Sequence, residues 1–403
     1  MANTFAYKVR DSKGNLLKGQ IDGDGVTMVA TKLRQMGYVV IELKEKGLAQ
    51  KEINLPFSNR VKPKDLTIFS RQFATMINAG LSLTRCLNIL AEQTESKALK
   101  KVIASVLEDV ERGKALSDAM AKHTSAFPPI FINLVRAGET GGVLDEVLLR
   151  VADHFEKEAS IKSKIKSAMA YPAAMFTFSM VITFVLITFI VPLFVAMFED
   201  MGGNLPLPTK VLLTLSNFIR SSWFILIPAV IAAIYFLRVY SKTEKGRENI
   251  DNLKLRLPIA GVLVRKMSIS RFTRTFGTLL SSGVPILVAL DIVAESSGNA
   301  IVSAAVKRTR VSIKEGETIA KPLAADKVFP PMVVQMIAIG EETGALDSML
   351  SKIADFYDEE VSNMVDALTS IIEPLMIIVM GLIIGGIIVA LYMPMFQIIT
   401  LIK

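Results

Sequence analysis

The chain has little of what most enzymes use. Its 403 residues include one cysteine and two histidines. A single thiol, Cys86, excludes an intrachain disulfide, and its place in the apolar pattern LTRCLNIL reads as a buried structural thiol. His123 and His154 form no HExxH pattern and no cysteine–histidine cluster, which argues against a metal site. No basic run is interleaved with aromatics, so the net charge of +8 does not read as a nucleic-acid surface. The basic residues gather instead beside apolar segments, as they do at a membrane surface. Charge is missing altogether from residues 167–198 and 374–402. Without an ionisable group inside a span, neither an intramembrane protease nor an ion-coupled transporter is supported. The opening MANTFAYKVRDSKGN has neither an apolar core nor a small-residue cleavage site, so no cleaved signal peptide is expected.

What the chain does have is apolar length. Hydrophobic residues make up 51% of it and the mean hydropathy is +0.44. Each uncharged stretch exceeds the ~20 residues that cross a bilayer core. A third candidate, SSWFILIPAVIAAIYFL (221–237), is shorter and lies between Arg220 and Arg238, which can snorkel to the interfaces. Three spans are therefore expected: 169–198, 219–239 and 371–400. Arg150, Lys157, Lys162, Lys164 and Lys166 precede the first span. Arg238, Lys242, Lys245, Arg247, Lys254 and Arg256 follow the second, whereas the segment between them holds only Lys210 and Arg220. The positive-inside rule puts the N-terminus and the segment after span two in the cytoplasm, 199–218 in a short periplasmic loop, and the C-terminus outside.

The chain also repeats itself. FSRQFATMINAGLSLTRCLNILAE (69–92) aligns with FTRTFGTLLSSGVPILVALDIVAE (272–295), and Phe69, Arg71, Phe73, Thr75 and Gly80 all recur 203 residues on. After one lost residue, Phe127-Pro128-Pro129 returns as Phe329-Pro330-Pro331 and Pro172 as Pro374. Each copy reads as six helices. In the first, Leu66, Phe69, Phe73, Met76 and Ile77 form an amphipathic stripe. Gly80 stops that helix and Ser82 can cap the next. SKALKKVIASVLEDVERG, SDAMAKH and PPIFINLVRAG follow, and a long sixth helix from Val143 runs into span one. The predicted fold class is mainly α: a polytopic membrane protein with two homologous cytoplasmic six-helix bundles, at 64–168 and 240–370. A small N-terminal ββαβ module is expected at 1–46, with a polar linker at 47–63.

The strings GETGGVLD (138–145) and GEETGALD (340–347) join helix five to helix six in each copy. They are not phosphate loops, because no Lys-Ser or Lys-Thr follows the last glycine. Gly138 or Gly340 can take the left-handed conformation that ends a helix. Asp145 and Asp347 fall in the first turn of the next helix, where the dipole favours a carboxylate. Glu139 and Glu341 have no evident capping duty and stand as candidate acidic contacts, with Asp145, Asp347 and Glu373 beside them. Glu373, at the mouth of span three, reads either as a boundary residue or as a functional contact. Gly381, Gly385 and Gly386 permit close helix approach, within the chain or between subunits.

At this length and with this duplication the chain resembles the polytopic platform proteins of type IV pili and type II secretion, the PilC/GspF family. SRQFATMINAGLSL, FPPIFINLVRAGETGGVLDEVL, the YP before span one, and their second copies carry the likeness, which covers almost the whole chain. The resemblance implies a bacterial inner-membrane protein that is not an enzyme and needs no cofactor. It implies contact with a cytoplasmic assembly ATPase (and a retraction ATPase where one exists), pilin or pseudopilin subunits, alignment proteins and membrane lipid. It also implies a homo-oligomer that moves subunits into a filament, and no catalytic residues to transfer. The alternative in another class is an oligomeric transporter or channel. An intramembrane enzyme is disfavoured by the missing catalytic groups.

Overall fold

A computed structural model describes residues 3–10, 16–23, 25–45, 61–200, 205–241 and 243–401. Most of the expected linker, 47–60, and residues 201–204 of the expected loop lie outside the described residues. The chain forms two compact units, Met1–Arg60 and Val61–Lys403.

In the first unit β1 (Asn3–Arg10), β2 (Leu16–Gly23), α1 (Val26–Gln35) and β3 (Val39–Glu45) follow in order. The strands pair antiparallel in the order β2-β1-β3. Phe5 and Val9, four apart and so on one face of β1, meet Val29 and Leu33, four apart on α1.

The second unit holds two sets of six helices. The first is α2 (Pro63–Asn78), α3 (Leu83–Gln93), α4 (Lys97–Glu111), α5 (Leu116–Ala121), α6 (Pro129–Gly141) and α7 (Leu144–Ala168). After α8 (Ala170–Val185), α9 (Val191–Asp200), α10 (Leu207–Tyr240) and α11 (Glu244–Arg256), the second set begins. It comprises α12 (Ala260–Ser281), α13 (Ile286–Ser296), α14 (Ala300–Lys314), α15 (Ala320–Ala324), α16 (Pro331–Thr343) and α17 (Leu346–Leu401). In each set the last helix packs along the first, α7 on α2 and α17 on α12. The apolar stripe predicted on α2 is what closes this pair: Leu66, Phe69 and Phe73 are buried, and Phe69 stacks against Phe73, Phe127 and Phe131. Phe272, Phe276 and Phe329 repeat the arrangement, and the two cores are continuous. Gly80 takes φ +82° and ends α2. Ser82 does stand at the N-cap of α3, but its side chain makes no capping bond. The working caps are one helix later and equivalent in the two copies: Ser96 accepts from Leu99 N–H, and Asn299 Oδ1 accepts from Ile301 and Val302 N–H.

Two helical segments, Leu144–Met197 and Leu346–Pro394, are long and apolar enough to cross a membrane. The second expected span, 219–239, falls within α10, whose 34 residues include the shorter apolar helical stretch Pro228–Tyr240. Helix also starts sooner than expected there, at Leu207, because Pro206 caps it and Pro208 fits its first turn. Ahead of Pro192 the helix widens to a π-turn over Leu186–Ile190, which accommodates the proline's missing N–H. Beyond it, Ile187, Val191 and Val195 pack with Ile387 and Leu391 of α17, with Leu212 and Leu213 of α10 against them. The Thr209 hydroxyl donates to Ala390 O at 2.5 Å and ties α10 to α17.

Candidate functional site

The two corner strings are built alike, but not as the sequence suggests. The left-handed residues are Gly142 and Gly344, both at φ +70°, rather than Gly138 and Gly340. Helix α6 therefore runs three residues past Gly138, and Val143 N–H returns to Gly138 O at 3.0 Å, a Schellman closure. Gly138 and Gly340 serve close approach instead. A Cβ at Gly138 would stand 3.1 Å from Val147 Cβ, and one at Gly340 would stand 2.9 Å from Leu346 Cα. With the helix extended, Glu139 is a helical residue facing α5. It accepts from Leu116 N–H at 2.5 Å and from Ser117 N–H at 3.0 Å. Glu341 repeats this on Ile319 N–H, at 2.8 and 2.9 Å to its two oxygens, and on Ala320 N–H at 3.4 Å. The expectation that these glutamates lack a capping duty is thus corrected. Each caps the short helix α5 or α15 from 22 residues away, a link invisible to local capping rules because the cap comes from another helix. Asp145 and Asp347 lie in the first turns of α7 and α17, and Asp145 is exposed.

Glu373 is exposed on α17. A Cβ built at Gly381, Gly385 or Gly386 would meet nothing within 4 Å, so these glycines hold no close contact inside one chain.

Charge gathers where the first and last helices of each copy meet, and again where the two copies meet each other. Arg71 of α2 binds Glu156 through two bonds of 2.6 Å and Asp153 at 2.5 Å, both acids on α7. Arg274 of α12 repeats it on α17, with Asp355 at 2.8 Å and Asp358 at 2.5 Å. The recurrence of the arginine is plain in the sequence; its acidic partners, some 80 residues away, are not. The Glu156 bond raises the Arg71 pKa further, and Arg71 in turn holds Glu156 below the usual carboxylate range. Cross-copy ties are added by Lys157 to Asp355 at 2.8 Å, Lys164 to Asp366 at 2.7 Å, and Arg271 to Glu158 at 3.2 Å. Arg150 donates to the Ser281 carbonyl. Desolvation raises the Asp355 pKa, but Lys157 and Arg274 outweigh it and the net direction is down. His154 is buried in this seam and its pKa is pushed down to about 4, first by desolvation and then by Arg274, Arg271 and Lys162 against the opposing Glu158. These are structural pairings. Their effect is to weld the two copies along α7, α12 and α17, below the membrane-length segments.

Comparison with known proteins agrees with the duplication. The family described as type II secretion system (T2SS), protein F, matches twice, at residues 69–192 and 272–394. The N-terminal domain of the same family matches residues 1–44. A type IV pilus assembly protein PilC of Thermus thermophilus is 45% identical over 98% of each chain. One from Myxococcus xanthus is 40% identical over 98% of this chain and 94% of its own. A type II secretion system protein F of Vibrio cholerae is 32% identical over 98% of both. With both copies and the N-terminal unit accounted for along almost its full length, the chain belongs to the type II secretion system protein F family, which it shares with proteins named for type IV pilus assembly.

Proposed function

We propose that this protein is the inner-membrane platform of a type IV pilus machine, coupling a cytoplasmic assembly ATPase to the insertion of pilin subunits into the filament base. The observation that carries this is the 45% identity, across 98% of both chains, to a protein named for type IV pilus assembly. The lower identity of the secretion relative, 32% over a similar length, favours pilus assembly over secretion. In this reading the chain crosses the inner membrane three times, with α10 as the second span. Both six-helix copies and the N-terminal ββαβ unit face the cytoplasm, and the C-terminus is periplasmic. The charge distribution around the spans supports that orientation. The protein hydrolyses nothing itself; it transmits motion, and the welded copies suit that task because a load on one reaches the other. It works as a homo-oligomer, and Gly381, Gly385 and Gly386 supply a surface on which two copies of α17 approach.

The corners are the docking elements. Asp145 and Asp347 present the charge, while Glu139 and Glu341 hold the corner and add to its negative field. Glu373 meets a partner at the membrane surface. The capping bonds dictate how to test this. Glu139→Gln with Glu341→Gln keeps one acceptor for each helix end, and Asp145→Lys with Asp347→Lys changes one exposed and one half-buried first-turn position. The aspartate pair is expected to accumulate and insert normally, at ~1 kcal/mol or less per helix from the dipole. The glutamate pair is expected to insert with a stability loss of ~1–3 kcal/mol per site from the charged bond that an amide cannot replace. Co-purification of the assembly ATPase is expected to fall strongly with the aspartate pair and partly with the glutamate pair. Undiminished ATPase recovery with both would remove the corners from the docking surface.

A further inference from the structure

A cavity of about 300 Å³ opens between the copies, walled by the start of α2, the start of α6, α7 and α12. The duplicated fold supplies its own control. In the second copy, Arg265 stands where the first has Lys62, and its guanidinium donates to the carbonyls of Val328, at 2.6 Å, and Lys327. In the first copy the matching residues are Ala126 and Ser125; both line the cavity, and no guanidinium crosses to them. The first copy therefore lacks the guanidinium that crosses to this loop in the second.

Its walls are electropositive. Lys62, Lys162 and Arg271 line it, against one carboxylate, Glu158, which Lys162 and Arg271 already hold at 2.9 and 3.2 Å. Two helix N-termini open onto it, those of α2 and α6, each with proline at the first helical position. The Lys62 and Pro128 carbonyls take the amides of Asp65 and Leu66 and of Phe131 and Ile132, which leaves one amide at each end, Lys64 or Ile130, for a ligand. His154, only 7% exposed, lines the same cavity, and its Nδ1 has no hydrogen-bond partner. A buried ring nitrogen without a partner, in a cationic cavity, is a polar group waiting for a ligand. We infer that this cavity binds a small phosphate ester carrying hydroxyl groups, the phosphate set against Lys62, Lys162, Arg271 and the two helix ends, the hydroxyls against the loop at Ser125 and Ala126. Bound there, at the junction of α2, α6 and α7 with α12, the ester ties one copy to the other and acts on the coupling between them. Burial first, and the charges of Arg274, Arg271 and Lys162 after it, keep the proton off His154; an anion cancels the second of these, so binding favours proton uptake on the ring.

The test uses the full-length protein in lipid nanodiscs, titrated with glucose 6-phosphate, inorganic phosphate and glucose, with the His154 ring followed by carbon-13 NMR. Glucose 6-phosphate is expected to saturate one site per chain, to move the His154 resonance toward the protonated form, and to bind more weakly as salt is added. Inorganic phosphate binds the same site more weakly, and glucose does not bind. Lys62→Glu and Ser125→Glu alter exposed residues at the mouth, leave the fold intact, and are each expected to weaken binding by roughly tenfold or more. The inference is overturned if no phosphate compound saturates the wild-type protein, if binding is unmoved by both mouth variants, or if only an acidic peptide binds.

Discussion

At the residue scale the corners show how one glycine does a different job from the next. Gly142 and Gly344 turn the chain with positive φ; Gly138 and Gly340 are helical and simply leave room. Gly340→Ala sets a Cβ against the Leu346 backbone, which cannot yield, and is expected to destabilise by ~1–3 kcal/mol, seen as a lower melting temperature. Gly381→Ala meets nothing within 4 Å and is expected to leave the melting of the monomeric chain unchanged. Equal shifts for both would contradict the assignment. His154 gives a pH signature. Its ordinary pKa of 6.5 falls to about 4 in the fold, so the unfolded chain takes up this proton first as pH drops. The stabilisation is whole above pH 6.5 and is lost progressively down to about pH 4, by about 3 kcal/mol at most. The groups facing the ring are Glu158 and Lys162 on α7 and Arg271 and Arg274 on α12. Chemical denaturation at stepped pH is expected to show this slope in the wild type and to lose it in His154→Gln; a slope that persists in the variant assigns it elsewhere.

At the element scale, six helices per copy were legible because buried stripes and glycine stops recur along the chain, and duplication doubled each signal. The Ser96 and Asn299 caps and the end of α6 were harder to place. A string with three glycines within five residues offers several stopping points, and only packing against Val147 decides among them. What joins helices across long separations left no local pattern: Glu139 capping α5 and Arg71 binding α7 both depend on the bundle being folded. The second span was harder still, since α10 begins with the half-polar Leu207–Arg220 before its apolar part. The arginine clamps can be ranked by burial. The Arg274 side chain is 14% exposed and that of Arg71 is 35% exposed. Arg274→Leu, which leaves Asp358 with the Ser270 hydroxyl and Asp355 with Lys157, is expected to cost ~1–3 kcal/mol, and Arg71→Leu about half of that. Lys157→Ala, at an exposed pair, is expected to cost under ~1 kcal/mol. Thermal denaturation of the three variants checks the order, and a Lys157 effect as large as that of Arg274 would contradict it.

At the scale of the whole molecule, the fold is two copies of one bundle joined by charge on the side where α7 and α17 run on into their apolar segments. In the proposed function the seam makes the pair a single lever, the corners are where partners push it, and the apolar helices anchor it. Filament growth, in that proposed function, depends on this lever. The most direct measurement is the number of surface pili on cells that lack the gene but keep normal levels of processed pilin and assembly ATPase, with and without the restored wild-type chain. The account predicts that filaments vanish in the deletion and return with the wild-type chain. Undiminished pili in the deletion would contradict it.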